Sequence, residues 1–428
     1  MLDSSKTSAP QLYLRERSTT SDPYLAKIER AVVYAAVFLA PYATFRFSEL
    51  FFTVSDFLFC VSLILLLVGG RASSKPLEKL TGLWLLAFMF LFLGIMVGSL
   101  ARGSPERGLI VMAQYVFAYL ILMLILMRND HREIYKLAAI FLISVLVIDM
   151  HGIITFYTVG YVSGEGKGVV TGGKRLATML RNPNLAASIN ALTLPILLYF
   201  WSSGRLKSFI ALPAAGLILI TVVLTSSNSG LFVTVLTMAV FTAGISTPRL
   251  LLRLTFGAAV FIGVFALFGS KEMLPKTFQT RVLGALSSGD ISEAGTFTSR
   301  TDLMREAIQM ISDEGIWFVG VGADQFREKS VQDAPVHNLY LLLWVEGGLL
   351  ALIGWMMFSG VGFLLWLAVK KAGGDKHAMA TVSTTVAALL TIAMSNPHMY
   401  ARYWTIPVFL SFGLALVGLK RAALRNRG

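Results

Sequence analysis

Apolar residues along this chain come in long unbroken runs, without the strict alternation of strands or the narrow stripe of surface helices. A helix needs about 20 apolar residues to cross a bilayer core. Twelve runs of roughly that kind are read: 31–45, 51–70, 80–100, 108–127, 137–159, 184–202, 209–225, 230–246, 251–269, 337–369, 378–395 and 403–419. The first is short and the tenth is long, so the tenth is expected to tilt or to project beyond the bilayer. The pattern predicts an all-α integral membrane protein of about twelve transmembrane helices. Its parts are a tail over 1–30, helices one to nine over 31–269, a long polar loop over 270–336, helices ten to twelve over 337–420, and a second tail over 421–428.

Composition agrees. The 428 residues are 55% hydrophobic and 14% charged, with a mean hydropathy of +0.69, whereas a soluble domain has roughly 25% charged residues. The net charge of +13 would suggest nucleic acid in a soluble protein. Here the basic residues flank apolar runs, so they are read as topology signals and contacts to membrane lipids, with no nucleic-acid partner. The one cysteine, Cys60, lies within an apolar run, which leaves no intrachain disulfide and no cysteine-based metal site. About thirty polar residues precede the first run, unlike a cleavable signal peptide.

Loop charges orient the spans. With the N-terminus inside, the short inner loops carry Arg71, Lys75 and Lys79; Arg128, Arg132 and Lys136; Arg205 and Lys207; Arg249 and Arg253; and Lys370, Lys371 and Lys376. The short outer loops are poorer, so both termini are expected in the cytoplasm and the long loop outside. Residues 160–183 depart from this: they are outer yet carry Lys167, Lys174, Arg175 and Arg181 against the single acid Glu165. An anion held at the outer leaflet and simple attraction to lipid phosphates both account for them.

The long loop contains one amphipathic helix, expected over 300–313, with Ser299 as its cap and Leu303, Met304, Ala307, Ile308 and Ile311 at helical spacing. Gly320-Val321-Gly322 reads as a turn, and Phe326 is expected to pack back. The loop ends at His337-Asn338, which is expected to open the tenth span. Near neutral pH a histidine can accept a proton, and a helix N-terminus disfavours its charged form while favouring a nearby anion. Taken alone, His337 is either a proton acceptor or a structural hydrogen-bonder. Tyr340, Leu341, Trp344 and Gly348 follow on the same helical face, Gly348 allowing close approach of another helix, while Glu346 lies about half a turn round.

Arg175, Arg181 and Arg300 are candidates to grip phosphate oxygens, because a guanidinium binds them through a two-pronged fork and stays charged. Arg46, Arg281, Arg402 and His398 are weaker candidates on the same expected face. Asp149 and His151, within the fifth run, are read as a buried structural pair or as functional groups. There is no Asp-x-Asp, no His-Glu-x-x-His and no phosphate-cradling Gly-x-x-x-x-Gly-Lys-Ser/Thr. No metal and no cofactor are therefore expected, and arginines would have to neutralise phosphate charge.

These residues carry a resemblance. His337-Asn338 with Gly348 after a long loop, the run from Arg175 to Asn182-Pro183-Asn184, and Ser299-Arg300 before Gly320-Val321-Gly322 together resemble the O-antigen ligase and polymerase superfamily of bacterial inner-membrane glycosyltransferases. Ala351 stands where the family pattern has Gly, Thr or Tyr, and Thr178 and Arg181 stand where relatives often have glycine. The resemblance implies a GT-C-like membrane fold with its active site facing the periplasm. It implies an inverting, metal-independent transfer of glycan from undecaprenyl pyrophosphate to a sugar hydroxyl of lipid A–core. His337 would be the base. Arg175, Arg181 and Arg300 would hold the pyrophosphate, supported by Asn184, Asn338, Tyr340 and Gly348. Other envelope polysaccharide assembly proteins are implied partners. Polymerases and protein O-oligosaccharyltransferases of the same superfamily are the alternatives. A lipid-linked sugar transporter, built around groups such as Asp149 and His151, is the rival of another class.

Overall fold

A computed structural model of the chain describes residues 23–44, 52–128, 130–159, 168–245, 276–284 and 297–425. The ninth expected span, 251–269, and Arg46 lie outside them, and nothing is described of the Arg281 side chain. The helices are α1 (Pro23–Leu39), α2 (Val54–Val68), α3 (Thr81–Ala101), α4 (Pro105–Leu126), α5 (His131–Thr158), α6 (Pro183–Ser202), α7 (Ser208–Thr225) and α8 (Asn228–Ile245). In the long loop lie α9 (Phe297–Asp313) and α10 (Gln325–Lys329), and the chain closes with α11 (Leu339–Lys371), α12 (Lys376–Ala393) and α13 (Arg402–Arg425). The only described sheet is a two-stranded hairpin, Val170–Thr171 paired antiparallel with Arg175–Leu176.

This is an all-α membrane protein. Among the described residues eight helices, α3 to α8, α11 and α13, are long and apolar enough to cross a membrane. The twelve expected spans are thus not all seen. Helix α2 has 15 residues, α1 has 17, and α12 has the length but carries too many polar side chains to qualify. Helix α1 also starts eight residues before the apolar run predicts. Its first turns pack an internal ion cluster: Glu29, wholly buried, accepts hydrogen bonds from Arg128 (Nη1–Oε2 2.8 Å), Arg71 (3.3 Å) and Ser62 (2.8 Å).

Starts and stops follow local chemistry. Thr53 and Asp56 cap α2 reciprocally, Ser104 precedes Pro105 at α4, and Asn182 precedes Pro183 at α6, its side chain accepting from the N–H groups of Asn184 and Leu185. The helices run antiparallel, so their ends gather at two faces. One face carries the hairpin and the long loop. The opposite face carries the Glu29 cluster, a Lys420–Glu78 ion pair (2.8 Å), and Arg205 stacked on Tyr135 (4.1 Å to the ring centre).

Helix α11 is broken at Gly348, whose φ of +68° and ψ of −171° no helix contains. The break frees backbone groups, and buried backbone must be paired, above all in a membrane. The long loop pairs them. Val321 N–H donates to Val345 O (2.9 Å), Gly322 N–H donates to Glu346 O (2.9 Å), and Leu349 N–H donates to Trp317 O (2.9 Å). Gly320-Val321-Gly322 is therefore not a free turn but a strip laid into the broken helix. Helix α3 closes the third side: Gly94 and Gly98 meet the α11 backbone so closely that a Cβ at either would lie under 3 Å from it. Ala323 N–H also donates to the α3 hydroxyl of Ser99 (3.1 Å).

The loop builds a small core of its own. Leu303, Ala307 and Ile311 of α9 bury against Val321, Phe326, Val336, Leu342 and Val345, as their spacing and the expectation for Phe326 predict. Ile308, included in the expected stripe, is half exposed. Ser299 lies inside α9 and does not cap it; its hydroxyl donates to Gln332 instead, because the helix starts at Phe297.

Gly348→Ala tests the junction. A Cβ there would sit 2.2 Å from Phe318 O at a left-handed backbone angle. The strain alone costs of order 1–3 kcal/mol, so thermal unfolding of the detergent-solubilised variant is expected at clearly lower temperature than wild type. An unchanged midpoint would show that the break is not the fixed feature described here.

Candidate active site

His337 ends the loop just outside α11. Asn338 is the N-cap: its side chain accepts from Tyr340 N–H (3.0 Å) and Leu341 N–H (3.2 Å). The helix therefore opens at Leu339 rather than at His337, and Asn338 occupies the end N–H groups that were expected to attract an anion. His337 Nδ1 lies 3.0 Å from Pro335 O. A carbonyl only accepts, so in the neutral ring Nδ1 carries the hydrogen and Nε2 keeps its lone pair free. Burial holds the imidazole below its usual titration range, and the positive charge of Arg300 on α9 pushes the same way, against the opposing effect of the Pro335 carbonyl. The neutral form is thus favoured by burial and by Arg300.

The expected single face of α11 divides. The Tyr340 hydroxyl turns into the bundle and donates to Leu390 O on α12 (3.1 Å), whereas Trp344 Nε1 donates to Trp317 O in the loop (3.2 Å). Past Gly348 the register changes, so Gly348 serves backbone junction geometry. No contact links Glu346 to His337; it is buried beside Asp324 and Arg327 of the α10 region.

The arginines separate. Arg300 is the one whose charge reaches His337. Arg181, exposed and in a left-handed conformation (φ +56°), lines a cavity of about 940 Å³ with Gln114, Tyr400, Arg402 and Tyr403. Arg175, on the hairpin, donates from Nε to Thr225 O at the end of α7 (2.9 Å) and from Nη2 to Asn184 Oδ1 (3.0 Å). Arg402 is buried and bonds Asp56 (3.0 Å) and Ala40 O (3.0 Å), tying α13 to α1 and α2. Arg281 lies in the turn Gln279–Gly284; just before it, Thr277 bonds Gly173 of the hairpin.

His398, a minor candidate, lies close enough to His337 for the charge of that ring to act on it. Burial is the largest cause holding it down to about 4, with Asp324 opposing and His337 and Arg327 reinforcing. Tyr400 was missed altogether. Its ring stands 5.2 Å from that of His398, and the only sequence signal was an aromatic two residues from a histidine at a span border. Asp149 and His151 do not pair. Asp149 is buried and accepts from Asn190 (3.1 Å), while His151 is exposed, because residues two apart face different sides of a helix.

The class of protein is set by the helices: a multi-pass α-helical membrane protein with a capped polar loop at one face. Residues 213–356 match the family model described as O-antigen ligase. That match supports the O-antigen ligase superfamily, whose members are glycosyltransferase-like ligases and polymerases. It covers Arg300, His337 and Gly348 but not Arg175, Arg181 or His398. No curated protein sequence matches the chain.

The His337 environment is open to titration. Nitrogen-15 histidine spectra, assigned by difference with His337→Ala, should show the ring still mostly neutral at pH 6.5, its ordinary midpoint. Arg300→Gln should raise the midpoint by removing a nearby positive charge. A midpoint that falls in that variant would contradict the placement of Arg300.

Proposed function

We propose that this protein is an O-antigen ligase: an inverting, metal-independent glycosyltransferase that moves glycan from undecaprenyl pyrophosphate to a hydroxyl of lipid A–core. One observation carries the chemistry. The Nε2 lone pair of His337 is left free by the Nδ1 bond to Pro335, on a neutral ring beside Arg300. The family match supports the reaction class.

His337 Nε2 accepts the proton of the acceptor hydroxyl. The hydroxyl oxygen forms its bond to the anomeric carbon as the bond from that carbon to the pyrophosphate oxygen breaks on the opposite face, so configuration inverts in one displacement. Undecaprenyl pyrophosphate leaves with the electron pair. Arg300 and Arg181 offset the growing negative charge, as positioned cations do in phosphate chemistry. Arg175 and Asn184 act on the pyrophosphate side by bracing the hairpin and the start of α6. The cavity beside Arg181 is large enough to take the head of the donor, its pyrophosphate and the sugar attached to it.

Orientation follows from charge. Arg71, Lys75, Lys79, Arg128, Arg205, Lys207, Lys370 and Lys371 lie at the face opposite the loop, which the positive-inside rule assigns to the cytoplasm. His337 then faces the periplasm of the inner membrane, where lipid-linked glycans and lipid A–core meet.

A general base is worth roughly 10²–10⁴ in rate. His337→Ala, reconstituted with lipid-linked glycan and lipid A–core, should lose transfer by about that factor while remaining folded, and a metal chelator should leave the wild-type rate unchanged. Near-normal transfer by the variant would overturn the assignment. Lengthening of glycan on its carrier, with none moved to the core, would identify a polymerase instead.

A further inference from the structure

Helix α4 is not a regular helix. Its middle, Val116–Ile121, is wound as a π-helix, a distortion that frees a backbone carbonyl and often accompanies functional sites. The carbonyl of Tyr119 is bonded by Trp84 Nε1 of α3 (2.9 Å), and the Tyr119 side chain turns so that its hydroxyl donates to Met399 O (2.7 Å). Both Trp84 and Tyr119 are buried. This bond pins a segment that would otherwise be a plain connection between α12 and α13. With Met399 fixed and buried, the side chains on either side, His398 and Tyr400, stand next to each other.

The Tyr400 ring is held from two directions. His398 lies at 5.2 Å on one side, and Tyr115, from the turn of α4 just before the distortion, meets it edge-on at 5.3 Å and 72°. Such edge and tilted aromatic pairs are favourable and restrict the ring. Yet Tyr400 is not sealed into the core: it lines the cavity that also holds Arg181, Gln114 and Tyr403. Its other neighbour, His398, is within electrostatic range of His337. Tyr400 thus shares a cavity with Arg181 and is linked through the His398 ring to the surroundings of His337, the two residues to which the proposed function assigns the donor's pyrophosphate and the acceptor hydroxyl.

Between a pyrophosphate and an attacking hydroxyl there is one chemical unit, the first sugar ring of the glycan. A pyranose has a flat C–H face and a rim of hydroxyls. A fixed aromatic ring offers the matching apolar surface at little entropic cost, and His398 and Gln114 supply hydrogen-bonding groups at its edge. We propose that Tyr400 is the platform for the first sugar of the lipid-linked donor, a specificity-determining residue held in place by the Tyr119–Met399 bond. The proposal rests on the donor assignment made under the proposed function.

Binding without turnover tests it. Wild-type protein in nanodiscs is titrated with undecaprenyl pyrophosphate and with the same lipid bearing one hexosamine, followed by tryptophan fluorescence. The sugar-bearing lipid should bind about tenfold tighter. In Tyr400→Leu that preference should collapse towards one, while affinity for the bare carrier stays within about twofold of wild type. Tyr400→Phe, which keeps the ring, should keep the preference. An unchanged preference in Tyr400→Leu overturns the platform alone, as does an equal loss of affinity for both lipids. Wild-type protein that binds neither lipid overturns the donor assignment and the platform with it.

Discussion

In a bilayer every backbone N–H and C=O needs a partner, and this protein breaks its longest helix in spite of that rule. The break at Gly348 is tolerated because Trp317, Val321 and Gly322 of the loop supply the missing bonds. Everything at the loop face depends on that exchange. It locks the loop to α11, brings α3 against both through Gly94 and Gly98, and sets the height at which α9 and α10 stand over the bundle. His337 is reached only through this arrangement, since its position follows from Val336 buried in the loop core on one side and the Asn338 cap on the other.

The junction also explains how a mobile kind of element, a polar loop, can hold reactive groups in fixed positions. Arg300 sits on a helix whose apolar stripe is sunk into a dedicated small core, so packing holds its charge within reach of His337. The opposite wall is built by another device. There the π-helical turn of α4 aims Tyr119 at Met399 and so sets His398 and Tyr400. Two irregularities in otherwise ordinary membrane helices, one in α11 and one in α4, thus position the candidate groups.

Charges inside the bundle divide into those that hold the protein together and those left for chemistry. Glu29 with Arg128 and Arg71, and Asp56 with Arg402, are paired internally and tie helices distant in sequence. Removing one partner of such a buried pair would cost about 3–5 kcal/mol by leaving the other uncompensated. Arg402 shows why residue type alone misleads. It lines the cavity, as an anion-binding arginine would, yet its guanidinium is engaged with Asp56 and Ala40.

Sequence by itself determined the class and the positions of most of the described helices, and it singled out His337 as the candidate base. Those rest on local properties: the length of apolar runs, capping residues such as Asn182 and Asn338, and a histidine at a span border. The tertiary structure decided what depends on partners far along the chain. Helical spacing placed Gly348 on the face of Tyr340, but a positive φ at a glycine changes the register, and only the bonds from residues 317–322 make that angle affordable. Arg175 and Arg181 looked alike in sequence; one turns to the end of α7 and the other to the cavity, because the hairpin and the left-handed turn point them apart. Tyr400 carried no signal of its own, since its place is set by a hydroxyl 280 positions away from the carbonyl it holds.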